Sequence, residues 1–148
     1  MPIKTFRGLM ESSTRERIRL QTNNGKTGYR LIKFQAMPKD PMTLDQENVL
    51  KIYKEKVTTI DGEVDFSDNQ LLGACCVKYQ ADVAVSQGSA DIIMEREIIN
   101  QDLFITHDDV GSGNRPCNYY IELEVINLSS NEAEYTTLKD IRNRNTTS

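Results

Sequence analysis

Apolar and polar residues alternate along most of this chain, with the spacing of a strand that buries one face. Residues 117–128 show it most cleanly: Tyr119, Ile121, Leu123 and Val125 fall on one side, Tyr120, Glu122 and Glu124 on the other. Ile18 and Leu20 alternate with Arg17 and Arg19 in the same manner. Residues 29–37 are rich in β-formers and predict a central strand. Residues 49–60 predict another, with Leu50 and Ile52 set against Val49, Lys51 and Tyr53, and a short helix at its start as the alternative. Residues 71–79, 92–99 and 103–107 complete the set.

Turn chemistry punctuates these runs. Asn24-Gly25 stands between 17–22 and 27–34, and Asp61-Gly62 between 57–60 and 63–66. Both dipeptides tolerate positive φ, so each predicts a tight hairpin. Residues 86–89 and 108–116 read as longer loops, and Pro38 and Pro41 bracket another. One helix follows the strands. Ser129 and Glu132 have the spacing of a capping box. Ala133, Thr137, Leu138 and Ile141 then share a side through Arg142, and Arg142 and Arg144 suit the negative end of the helix dipole. The expected fold is mainly β: an antiparallel β-sandwich or jelly-roll-like single domain over residues 1–148, with one short C-terminal helix and an end frayed from about residue 143.

Composition narrows the class. The chain has 148 residues and is 38% hydrophobic, and no apolar run approaches the ~20 residues of a membrane span. The first residues carry no apolar h-region and no small-residue cleavage site, so no secretory signal is expected. The three cysteines Cys75, Cys76 and Cys117 make a poor disulfide framework, because neighbours in a strand point to opposite faces. They read as buried free thiols of a reducing compartment.

The net charge of −4 hides an asymmetry. Residues 1–39 hold nine Lys/Arg against Glu11 and Glu16, whereas residues 40–148 hold nine against twenty acidic residues. Without a basic helix or an aromatic run, this predicts opposite charges facing each other across strands rather than a nucleic-acid surface. Complementary charge between copies is the further option.

Candidate chemistry is sparse. His107 is the single histidine, followed by Asp108 and Asp109, but a second histidine or a cysteine pair is wanting for a zinc site. Strand-end polar residues explain the trio as well. Asp61, Asp65 and Asp68 lack calcium-loop spacing. Gly111-Ser112-Gly113 is no nucleophile elbow, and a dyad of Cys75 or Cys117 with His107 has no supporting flanks. The expectation is a non-enzyme without cofactor, metal or catalytic residue.

Several blocks resemble a known group. They are Ile3-Lys4-Thr5-Phe6-Arg7-Gly8, Arg17-Ile18-Arg19-Leu20, residues 27–35, residues 118–125 and residues 134–142. Together they resemble small structural proteins of marine, cyanophage-like tailed phages; the resemblance does not extend to residues 38–116. The resemblance implies a virion component, a capsid decoration or cement protein, or alternatively a tail-associated protein or a glycan-binding β module. It implies other virion proteins, major capsid or tail, as partners and a homo-oligomer; the apolar runs and the charge pattern already argue against a membrane and against nucleic acid. Contact regions are expected in residues 1–9, in the 108–116 loop and on the C-terminal helix, through Phe6, Arg17, Arg19, Asn114, Arg115, Leu138 and Ile141.

Overall fold

The computed structural model describes residues 2–22, 25–40, 45–80, 85–92, 96–111 and 113–146, with side chains undescribed at 79–80, 85–92, 130 and 140–146. The strands are Ile3–Met10 (β1), Thr14–Ile18 (β2), Thr27–Pro38 (β3), Gln46–Tyr53 (β4), Leu71–Gln80 (β5), Val85–Ile92 (β6), Leu103–Asp109 (β7) and Cys117–Asn127 (β8); the helix is Ser130–Thr146 (α1). They form two antiparallel sheets, β1-β8-β3 and β2-β7-β4-β5-β6. The pairing is nested: the first strand joins the last, the second joins the seventh, the fourth joins the fifth. β3 packs against β5 and β6 across the two sheets. This is the antiparallel sandwich expected.

The core lies between the sheets. Phe34, Tyr119, Ile121 and Leu123 from the small sheet meet Leu50, Ile52, Cys75, Leu103 and Ile105 from the large one. The period-two pattern of 117–128 is realised in β8, with Tyr119, Ile121 and Leu123 buried and Val125 half-buried. Gly8 lies opposite Tyr119 in the ladder, and a Cβ there would stand 2.9 Å from the tyrosine ring, so only glycine lets the ring lie flat on β1. No helix among the described residues is long and apolar enough to cross a membrane.

Several expectations are corrected. β8, not β3, is central in the small sheet, because β8 pairs on both sides and β3 on one. Gly25 has φ of +66° as its dipeptide predicts, but Asn24 lies outside the described residues and β2 and β3 belong to different sheets, so no hairpin joins them. The hairpin at Asp61-Gly62 is absent: 57–60 and 63–66 form no strands and Gly62 takes no positive φ. Gly62 is small for another reason, since a Cβ would lie 2.3 Å from Val110. The strand expected over 92–99 is displaced to β6, over residues read as a loop and ending at Ile92; of the described residues 96–99, Ile99 makes a bridge, with Tyr29.

The helix starts as its cap predicts, with Ser129 Oγ accepting from the Glu132 N–H at 3.2 Å. It runs to Thr146, beyond the expected end near Arg142. Its inward face is Ala133 and Thr136 with Thr137 half-buried, and Leu138 is 60% exposed instead of sharing that face. Asn100 explains the rotation: its Nδ2 donates to Thr137 Oγ1 at 2.7 Å and to the Gly25 carbonyl at 3.0 Å, which ties this side of the helix to the loop before β3.

Candidate assembly surface

The outer face of the small sheet is built by register. On β8 the outward residues are Asn118, Tyr120, Glu122 and Glu124; opposite them stand Leu9, Arg7, Thr5 and Ile3 on β1, and Met37, Gln35, Lys33 and Arg30 on β3. The basic first segment therefore does face acidic residues within the sheet. Arg30 Nη2 donates to Glu124 Oε2 at 2.7 Å, and Tyr120 donates its hydroxyl to Glu122 at 2.9 Å with Lys33 over its ring. Around this polar centre stand exposed apolar side chains: Ile3 at 48%, Leu9 at 44% and Met37 at 66%.

The residues expected at contacts lie on four separate elements. Phe6 on β1 is half-buried against the core, with Lys4 over its ring. Arg17 on β2 is half exposed and bonded to the buried Asp102, and Arg19 just beyond β2 is exposed. Asn114, exposed at φ of +48°, and Arg115 lie between β7 and β8. Arg115 is held inward, its N–H donating to Asp109 Oδ2 at 2.8 Å and its guanidinium 3.7 Å from Asp40. Leu138 is exposed on α1, and the side chain of Ile141 lies outside the described residues. The polar partners of Arg17 and Arg115 lie outside this group, so the structure does not join the seven into one site.

The buried polar groups are occupied in holding strands together. Asp109 Oδ1 accepts from the N–H of Glu47 at 3.0 Å and of Gly111 at 2.9 Å, while its own N–H donates to Ser12 Oγ. Together with its bond to Arg115 this fastens the β7–β8 connection to β4. Asp102 accepts from the N–H groups of Leu20 and Gln21 and from Arg17. Burial pushes the Asp102 carboxyl up, but these donors together hold it below the ordinary carboxylate range. Glu97 behaves likewise: burial raises it, and Lys139 and Lys54 at 3.1 and 3.3 Å bring it below.

His107 is fully buried. Its Nδ1 lies 3.1 Å from the carbonyls of both Met10 and Glu11, and its Nε2 lies 2.9 Å from Asn48 Oδ1. Asn48 Nδ2 donates to Gln46 Oε1, and Gln46 Nε2 donates to the Asp40 carbonyl. Burial lowers the imidazole pKa against the opposing pull of those carbonyls and of Asp109 and Asp108. Both ring nitrogens are engaged, and among the described residues no group of three or more His, Cys, Asp or Glu side chains is placed to hold a metal. Asp61, Asp65 and Asp68 do not converge either; each accepts the N–H of the residue two positions on.

The thiols are free, and burial pushes Cys75 up to about 11 and Cys117 up to about 12, the opposite of an activated nucleophile. Two open cavities of about 410 and 380 Å³ lie beside Tyr135 and Lys139 on α1, and beside Tyr53 and Asp68.

Sequence reasoning missed Asp109 as the tether of its loop, although an aspartate two residues before Gly111 is a turn signal. Nothing in the sequence marked Gln46 and Asn48 as buried. The chain matches no protein-family model and no curated protein.

Proposed function

We propose that this chain is a structural component of a phage virion, a capsid decoration or cement protein that works by protein–protein assembly and not by catalysis. The observation that carries the reading is the contrast between surface and interior. Buried histidine and carboxylates are bonded to strands and loops of the chain itself, while large apolar side chains stand exposed on the small sheet and on α1. The nested strand order supports it, since viral capsid proteins and lectins use jelly rolls, although a fold alone does not set a function. The likeness of the terminal blocks to tailed-phage structural proteins supplies the virion context.

The test is cosedimentation of the purified chain with heads and with tails of a marine tailed phage, alongside native mass spectrometry across salt concentrations. Saturable binding to heads by an oligomeric chain is the expected result. Binding to tails alone would move the protein to the tail, and a salt-insensitive monomer that ignores both would overturn the proposal.

A further inference from the structure

Four strands end the two sheets: β1 and β3 in the small one, β2 and β6 in the large one. Folded proteins blunt such edges by shortness, bulges or cover. β2 has only five residues. β3 is bulged between Leu31 and Lys33 and is held at Tyr29 by Ile99. β6 is described by its backbone alone. Among the described residues β1 has none of these devices: its eight residues pair with β8 in unbroken register and include no proline, and Lys4 and Arg7 are its two charges. The Val125 N–H donates to the Pro2 carbonyl. In an antiparallel ladder this turns the backbone groups of the even-numbered residues toward β8, and those of Ile3, Thr5, Arg7 and Leu9 toward the open edge.

We propose that this edge pairs antiparallel with β1 of a second copy of the chain, about a twofold axis at Phe6. The sequence of β1 selects both partner and register. Directly opposed residues share a face, so the strand can meet itself about Thr5, Phe6 or Arg7. About Arg7, two guanidinium groups face each other, which is unfavourable. About Thr5, the overlap shrinks to the first half of the strand.

About Phe6, Ile3 meets Leu9 of the partner on the outer face and Thr5 meets Arg7. On the inner face the two Phe6 rings meet, Lys4 lies opposite Gly8, and no like charges are directly opposed. The outward groups then form about eight main-chain hydrogen bonds, and the two small sheets become one continuous sheet with an isologous interface. Ile3, Leu9 and the half-buried Phe6 are the side chains it covers.

This deepens the assembly reading by naming the partner of one edge, and it is tested without phage particles: failure to bind a particle speaks to that reading and leaves the dimer standing. Native mass spectrometry and light scattering of the full chain at tens of micromolar are expected to show a dimer. Thr5→Pro removes one N–H from the open edge and none from the β1–β8 ladder, and should weaken dimerisation at least about tenfold. If circular dichroism shows that this variant unfolds, the exposed pair Ile3→Lys and Leu9→Lys replaces it with the same expectation.

The axis is tested in a Cys76→Ser background. Phe6→Cys should crosslink two copies on mild oxidation, since opposed residues of a non-hydrogen-bonded pair have the Cα spacing of a disulfide, and Arg7→Cys should not. A monomer at that concentration, a dimer indifferent to both sets of edge substitutions, or crosslinking through Arg7→Cys in place of Phe6→Cys would overturn the proposal.

Discussion

Among the described residues most of the outer face of the three-stranded sheet stands exposed, whereas the outer face of the five-stranded sheet lies, around β4, under the segment between β4 and β5. On the covered side Lys51, 2% exposed, donates to Asp61 at 2.9 Å and to the Glu63 carbonyl at 2.6 Å, and Arg15 reaches the Val57 carbonyl. Val49 is buried there as well. On the bare side Lys33 and Arg7 occupy equivalent outward positions, Lys33 over the Tyr120 ring and Arg7 exposed to water. The same residue type is thus structural on one sheet and a solvated surface on the other, and what differs is the cover.

Substitutions should separate the two sides, beginning where the tether is strongest. Asp109→Ala leaves the N–H groups of Glu47, Gly111 and Arg115 without their acceptor. It should cost about 2–4 kcal/mol in urea unfolding. Lys51→Ala should cost about 1–3 kcal/mol by releasing the covering segment, whereas Lys33→Ala on the bare face should stay within about 0.5 kcal/mol. Equal costs for the two lysines would erase the distinction between the sheets.

The smallest effect is in acid. The folded pKa of His107 is below its ordinary 6.5, so as pH falls through 6.5 the unfolded chain takes up a proton that the native chain refuses, and stability declines. Asp102 and Glu97 have folded values below their ordinary 3.8 and 4.5. Their contribution is intact above that range and is lost as pH falls through it. A urea midpoint followed against pH should therefore drop in two stages, and His107→Gln should remove the upper one.

In the exposed sheet β8 and β3 were legible, whereas β1, at Ile3–Met10, was not among the strands that the alternation predicted. A strand with one dry and one wet face must alternate, and β8 does, so residues 117–128 announced both the strand and its inward side. β4 is wet on neither face. Gln46, Asn48 and Lys51 sit among its buried positions, and period two fades when a polar residue is buried with a partner that only the fold supplies. β6 was missed for the opposite reason: Val85–Ile92 reads VSQGSADI, too polar and glycine-bearing to signal a strand, and its pairing with β5 carries it. The Asp61-Gly62 turn failed because local turn preference yielded to the ion pair with Lys51. Of the expected contact residues, Phe6 lies on the unprotected edge, while Arg17 and Arg115 are held by acidic groups of their own chain, which charge distribution along a sequence does not disclose.

The chain of contacts from the Asp40 carbonyl through Gln46, Asn48 and His107 to the carbonyls of Met10 and Glu11 begins and ends on acceptors. Each amide can offer hydrogen at one of its two ends, and a neutral imidazole at one of its two nitrogens. Whichever way the amides are turned, three hydrogens serve four junctions, and one junction brings lone pairs face to face. An imidazolium would supply the missing hydrogen at the expense of a charge sealed from water, so among the described residues this row of contacts is one hydrogen short of a full set.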